Sequence, residues 1–148
     1  MNRSVAHLAK RWWSSLSRRP PTAGDLEWAK GQLLSGELEL WSRMSAPDRR
    51  HSIHIARRFV AARSHATRDE VAAALLHYIG KIDANLGTGE RVVATVLGPR
   101  IDRWRRYHDH ERIGTELCRR AGSTSVTLAV LSDPDHPVAR LIRAADDI

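Results

Sequence analysis

Val71-Ala72-Ala73-Ala74-Leu75-Leu76-His77-Tyr78-Ile79-Gly80-Lys81 is the stretch that decides the fold. Thr67 stands before it, with Glu70 three residues later, the pattern of a capping box in which side chain and backbone satisfy each other's open donors. From Val71 to about Leu86 the chain reads as one helix, closed by Gly87-Thr88-Gly89. So apolar a helix must be surrounded by others, which makes it the central one. His77 then falls inside it and is buried, and a buried imidazole needs a hydrogen-bond partner or a metal.

Working outward, nearly every segment has helical periodicity. Upstream, Pro47-Asp48 opens a helix over 48–63 with Ile53, Ile55, Ala56, Phe59 and Val60 on its inner side. Glu37 to Met44 and Asp25 to Gly36 give two shorter helices. Val5, Leu8, Trp12 and Leu16 mark an amphipathic helix that stops at Pro20-Pro21, where proline removes a donor and restricts its predecessor. Downstream, helices are expected over about 90–97, 101–121, 124–131 and 137–147, separated by Gly98-Pro99, Gly122 and Asp133-Pro134-Asp135. Only Ser125–Val130 has β-branched alternation, so the expected class is all-α. Residues 1–47 read as a basic N-terminal helical extension packed on the core, and 48–148 as the main domain.

A chain of 148 residues and 16.7 kDa is one domain's worth. Its 24 Lys+Arg against 17 Asp+Glu give a net charge of +7. Residues 1–63 carry 12 basic and 5 acidic groups, whereas 64–148 carry 12 of each, so the whole excess lies in the first part. The N-terminal helix combines Arg3, Lys10, Arg11, Arg18 and Arg19 with Trp12 and Trp13, and reads as a Trp/Leu face docked on the domain with its arginines in water. No basic recognition helix or aromatic RNA motif accompanies the charge, so no nucleic-acid partner is expected. The single cysteine, Cys118, excludes an intramolecular disulfide and a cysteine-rich zinc cluster, and its stripe with Ile113, Gly114 and Leu117 marks it as buried. No run reaches the roughly 18 apolar residues that span a bilayer, and no secretory signal is evident, which makes a cytoplasmic setting the expectation.

Histidine is the informative residue type, with eight in the chain. His51, His77, His108 and His110 fall on helices that must pack together, and Asp146 follows near the end. Imidazoles and a carboxylate so distributed are suited to a metal site. Ala74-Leu75-Leu76-His77-Tyr78-Ile79-Gly80-Lys81 resembles the A-L-L-H-D-I-G-K signature of the HD-domain metal-dependent phosphohydrolases at seven of eight positions. His51-Ser52-Ile53-His54-Ile55-Ala56 is similar to that superfamily's H-S-x-x-V-A segment. His110-Glu111-Arg112-Ile113-Gly114-Thr115-Glu116-Leu117 resembles its H-x-x-I-G-A-x-L helix, and Ala144-Ala145-Asp146 its closing A-A-D. The four segments run in the correct order across about residues 48–147.

This resemblance implies an HD-type helical bundle built around one or two divalent metals, hydrolysing phosphate esters, often of nucleotides. It implies His51, His77 and Asp146 as metal ligands, Lys81 as a cation on the phosphate side, and His110 as a second-metal ligand or phosphate contact. A metal would contribute a water of lowered pKa and neutralise phosphate charge. One letter departs from the pattern: Tyr78 stands where the superfamily has its name-giving Asp. A phenol with an ordinary pKa of about 10 is a poor ligand for Mg or Mn at neutral pH, which argues against a binuclear site. Two functions follow as expectations. One is single-metal or impaired hydrolysis of a small phosphorylated, nucleotide-like substrate with one Mn, Fe, Zn or Mg ion at most. The other is an inactive pseudoenzyme that binds a ligand or a protein partner, without a metal.

Arg103, Arg105 and Arg106 precede His108 and His110 and either draw an anion toward the site or pair with Asp102, Asp109 and Glu111. Gly87-Thr88-Gly89 lacks the spacing and the following lysine of a phosphate loop and reads as a turn.

Overall fold

The computed structural model describes residues 19–81 and 105–147, and of Lys81 and residues 105–110 the backbone alone. Within them the chain is helical throughout, without a strand. The elements are α1 (Ala23–Gln32), α2 (Ser35–Ser42), α3 (Ala46–Ala62), α4 (Arg68–Leu76), a 3-10 turn (Ile79–Lys81), α5 (Arg105–Arg120), α6 (Ser125–Ser132) and α7 (Pro137–Asp146). The helices expected over 1–16 and 90–97, and the Gly87-Thr88-Gly89 turn, lie outside the described residues.

Local chemistry starts most of these helices. Thr22 Oγ1 accepts from the Asp25 N–H, and Ser45 Oγ from the Asp48 N–H with Pro47 in the first turn, so α3 begins two residues before the expected start. The capping box of α4 is present in full: the Glu70 N–H donates to Thr67 Oγ1 at 3.3 Å and the Thr67 N–H to Glu70 Oε2 at 3.2 Å. Arg63 clamps the same carboxylate through Nε and Nη2, fixing the turn from α3 into α4. His136 is a cap rather than a site residue, its Nδ1 accepting from the Val138 N–H at the start of α7.

The core gathers around α4, whose Val71 to Leu76 are all buried, as its apolar run requires. It packs against α3, which contributes Ile53, Ile55, Ala56 and Phe59, and against α6; α7 packs along α3. Helices α1 and α2 bring Ala29, Leu33, Leu40, Trp41 and Met44 into the same core. Trp41 is pinned by its indole N–H donating to Ser52 Oγ at 3.0 Å, while that hydroxyl donates to the Arg49 carbonyl. Buried Glu37 accepts from the Leu34 N–H and from Ser123 Oγ, tying α2 to the turn after α5.

One expectation needs correction. The central helix ends at Leu76, ten residues before Leu86. His77 is its C-cap, Tyr78 continues the turn, and Ile79 starts the 3-10 segment. Gly114 of α5 accounts for the close packing there, since a Cβ on it would lie 3.0 Å from the Gly80 nitrogen and 3.1 Å from Ile79 Cγ2. The helix ends where the backbone of this turn seats directly on α5, and His77 is half-buried at a helix end rather than enclosed within a helix.

A tyrosine-closed histidine–aspartate cluster as the candidate functional site

His51 lies on the second turn of α3 and Asp146 on the last turn of α7, 95 residues apart in sequence. Packing of α3 on α7 brings them together, with His51 Nε2 3.1 Å from Asp146 Oδ1. An ionised carboxylate only accepts, so this ring nitrogen carries the hydrogen and donates it. Arg58, two turns along α3, donates to the Ala145 carbonyl and secures the same end of α7. The other carboxylate oxygen, Oδ2, accepts from the Tyr78 hydroxyl. The Tyr78 ring lies 4.0 Å from the His77 ring and 5.5 Å from the His51 ring, both tilted against it.

Burial alone would raise the Asp146 pKa. The hydrogen bonds from His51 and Tyr78, helped by the nearby His77 and His51 imidazoles, outweigh it and bring the carboxyl down to about 2. Asp146 is therefore an anion at neutral pH, held by two donors from two other elements.

The structure thus brings together two of the three expected metal ligands, His51 and Asp146, and adds Tyr78 between them. His77 stacks on Tyr78 and contributes to the field on Asp146, yet among the described residues no three His, Cys, Asp or Glu side chains are grouped so that they could hold a metal ion. His51 Nε2 spends its position on a hydrogen, and both Asp146 oxygens accept hydrogen bonds. Lys81 lies in the 3-10 turn and His110 on α5, with side chains outside the described atoms, as are those of His108 and Asp109. Arg103 lies outside the described residues.

What the sequence reading missed is Tyr78 as a contributor, since it entered only as a missing ligand. Its signal was available: a phenol that packs beside a carboxylate can donate a hydrogen bond to it. A second feature lies next to His77. A cleft of about 50 Å³ is lined by His77, by Glu111, Gly114 and Thr115 of α5, by Val130, Leu131 and Pro134, and by Ala139, Ile142 and Arg143 of α7.

No family model, no curated protein and no solved structure matches this chain.

Proposed function

We propose that this chain is an HD-type helical domain that binds a small phosphorylated anion without hydrolysing it, with Tyr78 taking over the structural work of a metal. The observation that carries this reading is the pair of hydrogen bonds on Asp146, from the Tyr78 hydroxyl and from His51. A metal centre organises a carboxylate and imidazoles by accepting their lone pairs; here donors organise the same carboxylate instead.

The basic character of α3 supports the anion. Arg50, His54 and Arg58 recur at four-residue spacing, one ridge of a helix, next to His51. His54 is held below its ordinary pKa first by partial burial and then by the Arg50 and Arg58 guanidinium groups, against the opposite pull of Asp25. His51 keeps 36% of its side chain exposed beside this ridge, so a ligand phosphate can reach it.

The test is metal content and turnover, on the wild type and on Tyr78→Asp. The wild type is expected to purify without stoichiometric metal, to release no phosphate from p-nitrophenyl phosphate with added Mn, and to bind a nucleoside monophosphate with an affinity that falls as salt rises. The aspartate variant is expected to gain metal. Stoichiometric metal and Mn-dependent turnover in the wild type would overturn the proposal and restore the hydrolase that the four sequence segments imply.

A further inference from the structure

The cleft beside His77 carries an opposed pair of charges that the phosphate reading does not use. Glu111 extends from α5 and Arg143 from α7, both exposed, and both line the same cavity. Among the described residues neither forms an ion pair, with the other or with any third group: the Arg143 guanidinium donates to the Pro134 carbonyl, and the Glu111 backbone carbonyl, not its carboxylate, accepts from Thr115. Two opposite charges that line one cleft without pairing with each other are complementary to a ligand that carries both signs. The wall around them is aliphatic, formed by Val130, Leu131, Ala139 and Ile142, of which Val130 and Ile142 are buried.

Size narrows the ligand. A volume of about 50 Å³ has room for a few water-sized groups, at roughly 10–15 Å³ each, so the cleft suits a small ligand with a short aliphatic body. Burying such a group in an aliphatic wall drives binding, and the charged ends orient it.

We propose that this cleft is a binding site for a small zwitterion with an aliphatic body, an α-amino acid of leucine size, with its ammonium on Glu111, its carboxylate on Arg143 and its side chain against Val130, Leu131 and Ile142. The geometry also connects the site to the cluster described above. His77 lines the cleft with its ring 4.0 Å from that of Tyr78, so its ring signals report occupancy. This proposal stands independently of phosphate binding.

Four probes dissect it in solution on the full chain: L-leucine, 4-methylpentanoate, isopentylamine and glycine. These carry, respectively, all three elements, no ammonium, no carboxylate and no aliphatic body. Binding is read by calorimetry and by the His77 ring resonances. Leucine is expected to bind at one per chain and to shift His77, and each truncated probe to bind about tenfold more weakly, as expected for loss of one charge-assisted contact or of the buried body. Glu111→Gln should erase most of the preference for leucine over 4-methylpentanoate, and Arg143→Gln most of that over isopentylamine. Ala139→Leu, which fills the half-buried wall, should abolish binding with the helical circular dichroism unchanged. Leucine that fails to saturate, that binds no better than the truncated probes, or that keeps its preferences in the two glutamine variants overturns the proposal.

Discussion

Tyr78→Phe isolates the hydroxyl that closes the cluster. Phenylalanine keeps the ring, and with it the contacts to His77 at 4.0 Å and His51 at 5.5 Å. The donor to Asp146 Oδ2 disappears. A hydrogen bond to an ionised group contributes about 1.5–3 kcal/mol. Asp146 has a side chain only 19% exposed, so water replaces the lost donor in part, and the lower half of that range applies, about 2 kcal/mol. In a chain of this length about 1 kcal/mol moves the midpoint by roughly 3 °C, so thermal unfolding followed at 222 nm should shift down by about 6 °C. The Asp146 carboxyl, held at about 2 by His51 and Tyr78 together, should titrate at a higher pH in the variant, read from its carboxyl carbon by NMR. A variant as stable as the wild type, with an unmoved carboxyl, would show that Tyr78 does not hold the cluster, and the reasoning would fail there.

Further outcomes are expected elsewhere. Gly114→Ala places a Cβ 3.0 Å from the Gly80 nitrogen, and backbone cannot yield cheaply, so the variant should lose about 2 kcal/mol in urea unfolding and shift the His77 resonances. Gly36→Ala is more severe, since its Cβ would meet the Ala121 carbonyl oxygen; a loss above about 3 kcal/mol is expected, and an unchanged urea midpoint would contradict the close approach of α2 to the end of α5. Cys118 is pushed up to about 12, first by burial and then by the Glu37 charge, so the native chain should resist a thiol reagent at pH 8 and react only on unfolding. Glu70 is lowered from 4.5, first by its Arg63 hydrogen bond; its contribution is present above that unfolded value and is lost as pH falls through the lower folded one. Glu70→Gln should flatten the acid limb of a stability–pH curve below about pH 4.5 and leave the neutral limb parallel to the wild type.

Legibility in the sequence followed the physics of each signal. The inner face of α3, the Thr67–Glu70 box and the burial of Cys118 were readable because each depends on neighbours within one turn or on one periodic stripe. The end of α4 at Leu76 was not, since Tyr78 and Ile79 are tolerable in a helix, and the close seat of this turn on Gly114 of α5, 34 positions beyond Gly80, is a tertiary contact. The pairing of His51 with Asp146 was legible only through the resemblance, because 95 residues of chain separate them. Tyr78 was read by what it cannot do as a ligand. What it does instead needs Asp146 within reach of its hydroxyl, and that is a tertiary fact.

The electrostatics of the cluster explain why one changed letter leaves a coherent site. With an aspartate at position 78, as the resemblance would have it, two carboxylates face each other across the turn after α4. At about 4 Å such a pair repels by about 4 kcal/mol at an effective dielectric of about 20, and a bound cation is what makes the arrangement affordable. Tyrosine removes one of the two charges and adds a donor aimed at the other, so the remaining anion is satisfied by His51 on one oxygen and by the phenol on the second. The need for a cation and the means of holding it therefore go together. In the pattern that the sequence resembles, such a carboxylate would be at once a ligand and the source of the repulsion that the ion relieves. Introducing one in Tyr78→Asp should confer both properties, and a fold that holds His51, His77 and Asp146 where they stand is the reason one substitution could do so.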